Sequence, residues 1–328
     1  MATPTVDTSL ETILDPSWVG RDVVSVHDFD RSDFEYLFAL ADEIDAHLQG
    51  DRPIDLMRGR VLGYCFFQPS TRTRLSFEAA MVRLGGSTVG FADAKVTRAG
   101  DFYQESLEDV VHVVSEYADA IALRHFENGA ARRAAAAARV PVLNAGDGYN
   151  EHPTQALGDL YTMARLKGGL DGLRIGLVGD LHVRSLRAIC YSLAKFDVAR
   201  VLILPPEGGV ADDAVAALEG AGIPVEERES VEEMIREVDV LETIGVLHPD
   251  HNASHDTGRP AAATPERFRV TPDVVGDADD VVVLHPLPRI DEISTEVDAL
   301  AQAKYFEQCR NGMLMRMALL ASVIRRPI

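Results

Sequence analysis

Residues 61–91 read VLGYCFFQPSTRTRLSFEAAMVRLGGSTVGF, and this stretch determines the class of fold. Its first part, residues 61–67, is a continuous apolar run, which is typical of a buried strand in a parallel sheet. Helical periodicity follows over residues 75–84 and stops at residues 85–86 (GG), because glycine readily ends a helix. Residues 87–91 form the next strand. A strand, a helix and a second strand in this order predict an α/β fold.

The same alternation continues along the chain. We predict further strands at residues 120–124, 140–144, 173–179, 201–204, 238–243 and 281–284. We predict further helices at residues 106–117, 130–138, 187–195, 231–237 and 312–325, and one that begins near Pro153. At 328 residues the chain suits two domains of roughly 150 residues each. The expected fold class is therefore α/β with two doubly wound domains and parallel sheets, joined around residues 150–165.

Composition limits the classes of function. The chain carries 52 acidic and 32 basic residues, and its formal net charge of −20 argues against binding of nucleic acid, which needs a basic surface. A phosphate anion would have to be attracted by a concentrated local patch of positive charge. No apolar run reaches the roughly 20 residues that cross a bilayer. The N-terminal stretch lacks the features of a signal peptide, so we expect a cytoplasmic protein without membrane contact.

The cysteines do not suggest a metal site. Cys65, Cys190 and Cys309 show no CxxC or CxxH spacing. The apolar neighbours of the first two favour reduced thiols with a structural role over metal ligands or nucleophiles. We therefore expect neither zinc nor another metal in this protein, and the sequence suggests no cofactor.

The strongest chemical signal is the run at residues 70–74 (STRTR), which lies between a predicted strand and a predicted helix. Backbone N–H groups at a helix N-terminus are unpaired, and the helix dipole adds partial positive charge there. Hydroxyl donors and a forked guanidinium group would complete a phosphate site without a glycine-rich loop. A helix cap with exposed arginines would need only one hydroxyl, so we favour the phosphate site.

Three further polar motifs follow predicted strands or begin a helix, where doubly wound folds bind ligands. They are Arg124-His125, residues 150–155 (NEHPTQ) and residues 284–289 (LHPLPR). His152 precedes a proline at a helix start, and the two prolines of the last motif free neighbouring carbonyl groups to accept hydrogen bonds. Taken singly, Arg124-His125 also fits a surface pair, residues 150–155 fit a structural histidine, and residues 284–289 fit a rigid loop.

Together, the four motifs in this order resemble the aspartate/ornithine carbamoyltransferase family. The resemblance runs from about Trp18 to Ile328 and is densest over residues 60–165. Residues 143–155 and 283–293 are similar to the aspartate branch, whereas the ornithine branch usually has a cysteine where this chain has Pro286.

The resemblance implies a division of labour between two domains. Residues 1–152, with the C-terminal helix 306–328, would form a carbamoyl-phosphate-binding domain, and residues 153–305 an amino-acceptor domain. Family members are homotrimers whose active sites are shared between subunits, so the same assembly is expected here. The implied partners are carbamoyl phosphate and an amino acid.

The resemblance also implies individual roles. The phosphate would be bound by Ser70, Thr71, Arg72 and Thr73. The carbamoyl oxygen would be contacted by the catalytic residues Thr73, Arg124 and His152. The carbamoyl NH2 would be held by Gln155 and by the carbonyl groups of Leu287 and Pro288. Preorganised donors at a developing oxyanion contribute roughly 3–4 kcal/mol each, so the chemistry requires no metal and no covalent intermediate.

Three departures from the family pattern concern the acceptor. The aspartate branch donates a serine and a lysine from a loop into a neighbouring subunit's site, and the corresponding loop here covers residues 92–103. Lys95 or Arg98 of this loop could substitute. In the second domain the usual Gly-Arg-Thr is replaced by a segment one residue shorter. Arg184 is expected to bind a carboxylate there, with Arg187 as the fallback.

The third departure is the largest. Where the aspartate branch carries Arg-Val-Gln after a strand, this chain reads ETIGVLH at residues 242–248, and it also lacks the Ser-Met-Gly of the ornithine branch. A desolvated carboxylate without its guanidinium partner is costly. One hypothesis is therefore an acceptor with a smaller, neutral or cationic side chain, such as a diamino acid attracted by Glu242. The other is that His248, His251 or Arg259 supplies the charge and that aspartate is the acceptor.

Two other classes of protein compete with this interpretation. Residues 176–180 (GLVGD) follow a strand as in a nucleotide-dependent oxidoreductase, but the later glycines of that fingerprint are absent. A catalytically silent homologue with a structural role is the second alternative. The complete set of donor-binding residues argues against it.

Overall fold

The computed structural model describes residues 9–50, 52–100, 103–246, 263–276 and 278–324. The chain divides into two compact units. The first contains residues up to 155 together with those from 312 onward, and the second contains residues 156–311. Each unit is built on its own parallel sheet and buries its own core.

In its described residues the first unit contains a four-stranded parallel sheet. The strands are β1 (Val61–Phe66), β2 (Ser87–Phe91), β3 (Ala120–His125) and β4 (Val142–Asp147). They lie in the order β2-β1-β3-β4. The helices are α1 (Arg31–Gln49), α2 (Arg72–Arg83), α3 (Leu107–Ser115) and α4 (Ala130–Ala137), and α5 (Pro153–Lys167) begins in this unit. Side chains of β1, β3 and β4 pack with those of α3 and α4 in one buried cluster.

The described part of the second unit contains a five-stranded parallel sheet. Its strands are β5 (Arg174–Val178), β6 (Arg200–Leu204), β7 (Val225–Glu227), β8 (Val240–Thr243) and β9 (Val282–Leu284). They lie in the order β7-β6-β5-β8-β9. The helices are α6 (Arg184–Leu193), α7 (Asp212–Gly220), α8 (Val231–Met234) and α9 (Pro272–Val275), and α10 (Tyr305–Val323) begins in this unit.

The strand order of each sheet identifies where a ligand binds. In the first sheet the direction in which successive strands are added reverses between β1 and β3, and in the second between β5 and β8. Doubly wound folds bind ligands beyond the carboxyl ends of the strands at such a switch point. In the first unit, these strand ends lead into the STRTR motif and carry Arg124.

The parallel sheets confirm the predicted α/β class, but several boundaries differ. Helix α2 begins at Arg72 rather than at residue 75, because its first residues are polar and so show no apolar periodicity. Helix α10 begins at Tyr305 rather than at residue 312, because its first turns mix polar and apolar residues. Helices α1, α7 and α9 and strand β7 were not predicted. Among the described helices, none is long and apolar enough to cross a membrane.

All three cysteines are free thiols. Burial raises the pKa of the Cys65 thiol and of the Cys190 thiol to about 12. Both therefore remain protonated at neutral pH, which makes them poor nucleophiles and poor metal ligands.

Gly63 of β1 allows the closest approach of the sheet to the segment around α3. A Cβ atom at this position would lie 2.6 Å from Cγ1 of Val114 and 3.1 Å from Cβ of Ala118. We expect Gly63→Ala to lower the free energy of unfolding by about 1–3 kcal/mol, because the helix must move to make room. Urea titration measures this change.

Gly220 provides the control for this substitution. It lies at the end of α7, and an added Cβ would meet no atom within 4 Å. Gly220→Ala should therefore be neutral or stabilise by up to about 1 kcal/mol. Equal urea midpoints for the two variants would contradict the close packing at Gly63.

Candidate active site

The STRTR motif lies at the N-terminus of α2, directly after β1. Thr71 occupies the cap position, and within the described structure its side chain makes no capping hydrogen bond. Arg72 and Thr73 form the first helical turn. The first N–H groups of a helix have no partner inside it, and the dipole places partial positive charge there. Because Thr71 does not cap the helix with its hydroxyl, this end fits an anion such as phosphate.

Thr73 and His152 are 79 residues apart in sequence, yet Oγ1 of Thr73 lies 3.4 Å from Nε2 of His152. Both side chains are buried. His152 immediately precedes α5, which starts at Pro153. The starts of α2 and α5 therefore meet, and both helix dipoles contribute positive charge at this place. The contact is long for a hydrogen bond, so the hydroxyl and the imidazole can both turn to a ligand atom.

Arg124 lies at the end of β3, beside the loop that leads into α2. Its carbonyl oxygen accepts a hydrogen bond of 2.8 Å from the N–H of Phe67. Its Nη1 donates to the carbonyl oxygen of Ala145 on β4 at 3.2 Å. These bonds hold the half-buried guanidinium at the carboxyl ends of three neighbouring strands. Arg124 is thus placed on the same edge of the sheet as the STRTR motif.

His125 is a structural residue. Its ring centroid lies 4.6 Å from that of Phe67 and 4.3 Å from that of Phe126. Its Nδ1 accepts the N–H of Glu127 at 3.0 Å. Burial lowers the pKa of His125 to about 4, so the ring is neutral at physiological pH. Of the Arg124-His125 motif, only Arg124 remains a candidate for ligand binding.

Two buried carboxyl groups, those of Glu151 and Asp147, anchor the segment that precedes His152. Sequence reasoning missed both. Glu151 accepts hydrogen bonds from Oγ of Ser25 at 2.6 Å and from the N–H of Val26 at 2.8 Å. Asp147 accepts from Nδ2 of Asn144 and from the N–H of Gly129, each at 3.0 Å.

The available signal was the polar run GDGYNE at residues 146–151, which begins in the last two residues of the buried strand β4. Burial raises the pKa of the Glu151 carboxyl group despite its two hydrogen bonds. The free-energy cost of burying this carboxyl group is consistent with a role in fixing the start of α5.

The remaining residues predicted to hold the donor lie on two elements. Gln155 is half-buried in the first turn of α5, and its N–H donates to the carbonyl oxygen of His152 at 2.9 Å. Leu287 and Pro288 belong to the loop after β9 in the second unit, where Leu287 is half-buried and Pro288 exposed. Leu287 has φ of 57°, a left-handed conformation that costs a non-glycine residue about 1–2 kcal/mol.

The residues predicted to bind the acceptor differ in their surroundings. Arg184 is the first residue of α6 and is only 7% exposed. Nε of Arg187 donates to the hydroxyl of Tyr191 at 2.9 Å, and its guanidinium also pairs with Asp213 of α7. Arg187 is therefore engaged within its own unit.

Lys95 and Arg98 lie at the surface of the first unit, before α3. Lys95 is part of a short 3-10 turn, and its side chain is exposed. The guanidinium of Arg98 lies 4.8 Å from the ring centroid of Tyr103. Whether either residue enters a neighbouring subunit's site stays a prediction.

The loop after β8 presents apolar side chains in its described part. Ile244 is 2% exposed and Val246 is 8% exposed. Glu242 is fully buried inside the second unit, where Nε2 of Gln308 lies 3.3 Å from each of its carboxyl oxygens. Burial, together with the nearby Asp159, raises the pKa of Glu242 well above its usual range. Glu242 is thus part of the core of its unit rather than a surface anion.

His248, His251 and Arg259, the alternative sources of charge for the acceptor, lie outside the described residues. In the part of the chain that the structure describes, no group of three or more His, Cys, Asp or Glu side chains is arranged to hold a metal ion.

Comparison with known proteins agrees with this geometry. Residues 21–165 match the family model of the aspartate/ornithine carbamoyltransferase carbamoyl-P binding domain, and residues 171–323 match that of the Asp/Orn binding domain. The chain therefore belongs to the aspartate/ornithine carbamoyltransferase family and is a carbamoyltransferase, which confirms the resemblance identified in the sequence.

Among its relatives are aspartate carbamoyltransferase catalytic subunits. That of Methanothermobacter thermautotrophicus is 43% identical over 305 residues, which cover 93% of this chain and 96% of the relative. That of Methanopyrus kandleri is 43% identical over 315 residues, covering 94% and 98%. Aspartate transcarbamoylase from Trypanosoma cruzi, in complex with carbamoyl phosphate and aspartate, superposes with a TM-score of 0.83 at 31% identity, covering 94% and 98%.

We expect His125 to make the stability of the protein depend on pH. Its pKa is about 4 when folded, against an ordinary value of 6.5. As pH falls, the unfolded chain takes up the proton first, so this contribution is complete above about pH 6.5 and is lost towards about pH 4. The full loss should be about 3 kcal/mol, since one pKa unit corresponds to about 1.4 kcal/mol.

Urea unfolding of the wild type and of His125→Asn, at about pH 7 and about pH 4.5, measures this contribution. Asparagine keeps an acceptor for the N–H of Glu127 but does not titrate, so the variant should lose less stability over this range. An identical pH dependence in both proteins would contradict the expected role of His125.

Proposed function

We propose that this carbamoyltransferase transfers the carbamoyl group of carbamoyl phosphate to the amine of an amino acid and releases phosphate. The observation that carries the proposal is the contact of Thr73 with His152 where α2 and α5 both start. Two helix N-termini, a hydroxyl and an imidazole form a setting suited to negative charge. Carbamoyl phosphate brings negative charge on its phosphate and develops more on its carbonyl oxygen during transfer.

The start of α2 would hold the phosphate. The groups available there are the hydroxyls of Ser70, Thr71 and Thr73, the guanidinium of Arg72 and the N–H groups of the first turn. A guanidinium can bind two phosphate oxygens at once, which fixes the orientation of the donor as well as its position. This anchoring is what brings the carbonyl group to the catalytic residues.

The transfer itself follows from these positions. An uncharged amine attacks the carbonyl carbon, the new C–N bond forms, and the C–O bond to phosphate breaks. Thr73, Arg124 and His152 would stabilise the charge on the carbonyl oxygen, each worth roughly 3–4 kcal/mol as a preorganised donor. Gln155 and the carbonyl groups of Leu287 and Pro288 would hold the NH2 group. The departing phosphate can accept the proton that the amine loses.

For the acceptor, we favour an amino acid with a small, neutral side chain. Arg184 would bind its α-carboxylate at the start of α6. Beyond β8 the described segment consists of Ile244, Gly245 and Val246, and none of these residues could pair with a second carboxylate of the acceptor. Glu242 is bonded to Gln308 inside the unit, which weakens the case for a diamino acid.

Aspartate is the second candidate, because the relatives of this chain include aspartate carbamoyltransferase catalytic subunits. A catalytically silent homologue would bind carbamoyl phosphate without turnover on any amine. A homotrimer with shared active sites, and a cytoplasmic location, remain predictions from the resemblance.

We expect two substitutions to separate donor binding from catalysis. Arg72→Ala should abolish measurable binding of carbamoyl phosphate, because it removes the bidentate phosphate contact. His152→Ala should lower kcat by about 100-fold or more, because it removes a donor to the oxyanion. Calorimetry and steady-state kinetics measure the two effects.

Arg83→Ala is the matched control for the arginine. Arg83 is exposed at the opposite end of α2, so its removal changes net charge without touching the N-terminus of the helix. It should leave both donor binding and kcat unchanged. Full activity in both the Arg72 and His152 variants would reject the proposed function.

We expect a panel of amino acids incubated with carbamoyl phosphate to identify the acceptor. The panel should contain aspartate, several small neutral amino acids and diamino acids, with carbamoylated products measured by mass spectrometry. The apolar loop after β8 favours a neutral amino acid as the best substrate. Aspartate emerging as the best acceptor by a wide margin would reject that preference while supporting carbamoyl transfer.

A further inference from the structure

The loop that follows β9 is held from inside by a buried pair of side chains. His285 is 1% exposed, and Glu292 is fully buried. Nε2 of His285 lies 2.8 Å from Oε1 of Glu292, and the N–H of Leu287 donates to Nδ1 of His285 at 2.7 Å. Leu287 adopts the left-handed conformation that side chains larger than glycine avoid. The histidine therefore fixes a backbone geometry that the sequence disfavours locally.

The two contacts determine the protonation state of the ring. A backbone N–H can only donate, so Nδ1 of His285 must offer its lone pair to Leu287. Nε2 must then carry the proton and donate it to Glu292. A doubly protonated ring could not accept the hydrogen bond from Leu287. The neutral ring, protonated at Nε2, is the form that holds the loop.

Glu292 and Gln308 hold the same loop at two further points. Oε2 of Glu292 accepts the N–H of Ile290 at 2.9 Å and that of Asp291 at 3.1 Å. Oε1 of Gln308, on α10, accepts the N–H of His285 at 2.8 Å. The loop is therefore tied before and after Pro288, while Pro288 itself remains exposed.

We propose that His285 and Glu292 are positioning residues for carbamoyl phosphate, because they orient the carbonyl groups of Leu287 and Pro288 towards its NH2 group. This inference rests on the proposed function, which assigns that contact to the two carbonyl groups. Both side chains are buried and act through the loop. The groups proposed to stabilise the oxyanion lie on other elements. Loss of the positioning bonds should therefore raise KM for carbamoyl phosphate more than it lowers kcat.

Two substitutions of His285 separate its two hydrogen bonds. In His285→Asn the amide oxygen takes the place of Nδ1 and still accepts the N–H of Leu287. In His285→Gln the amide reaches towards Glu292 but leaves the N–H of Leu287 without its acceptor. Both variants remove the ring from the same buried position, so the loss of packing is matched between them.

We expect His285→Gln to raise KM for carbamoyl phosphate about tenfold or more, with kcat reduced by less than about threefold. In His285→Asn, KM should stay within about threefold of the wild type. The urea midpoints of the two variants should shift by similar amounts. Equal KM values in both variants, or KM changes that follow the urea midpoints, would show that His285 only stabilises the fold.

Glu292→Gln gives a second measurement that does not depend on the folding of the histidine variants. Both carboxylate oxygens of Glu292 accept hydrogen bonds, and the substitution replaces one of them with an NH2 group. That NH2 group must face another donor, either Nε2–H of His285 or the N–H groups of Ile290 and Asp291. We expect KM for carbamoyl phosphate to rise about fivefold or more. Glu237→Gln removes a carboxylate paired with Arg228 elsewhere in the unit and should leave KM unchanged. An unchanged KM in Glu292→Gln would overturn the positioning role.

Activity measurements on the wild-type protein distinguish a failure of the positioning role from a failure of the proposed function. If the wild type forms no carbamoylated product with any amine, the proposed function fails. If the wild type is active and His285→Gln has the same KM for carbamoyl phosphate, only the positioning role fails.

Discussion

The N–H groups at the start of α2, which have no acceptor inside the helix, are the physical constraint around which the proposed phosphate site is arranged. A helix end that faces polar surroundings needs partners for these groups, and here Thr71 does not supply its side chain as a cap. Helix α2 begins shortly after strand β1 ends, and Arg124 lies near the end of the neighbouring strand β3. The start of α5 adds His152 within reach of Thr73. A phosphate group would fit the donors that meet at this helix end.

A similar local arrangement occurs at the ends of two strands. His125 ends β3, His285 directly follows β9, and each uses Nδ1 to accept the N–H of the residue two positions later. Both rings are almost completely buried. In each, Nδ1 offers its lone pair to the backbone N–H. A protonated Nδ1 would need a carboxylate or a water molecule at that place instead. The hydrogen bond turns the chain sharply away from the sheet. It also holds the following loop in one conformation, so loop geometry depends on a neutral histidine in both units.

The second unit places its buried carboxyl groups in the core instead of at the acceptor loop. Nε2 of Gln308 donates to Oδ1 of Asp159 at 2.7 Å and lies close to Glu242. Two buried carboxyl groups near one another favour the protonated form of one, which agrees with the raised pKa of Glu242. The described loop after β8 carries no such charge. The acceptor preference that we propose therefore rests on Arg184 and on the apolar residues that follow β8.

Local sequence was sufficient for the α/β class and for the four motifs that carry the family resemblance, because strand and helix periodicity and helix-end chemistry are short-range properties. It was not sufficient for the start of α10, where buried and exposed residues alternate according to neighbours distant in the chain. The contact between Thr73 and His152, the structural role of His125 and the burial of Glu242 also required the fold. Each depends on which segments the sheets bring together, since burial and long-range hydrogen bonds are set by tertiary packing and not by neighbouring residues.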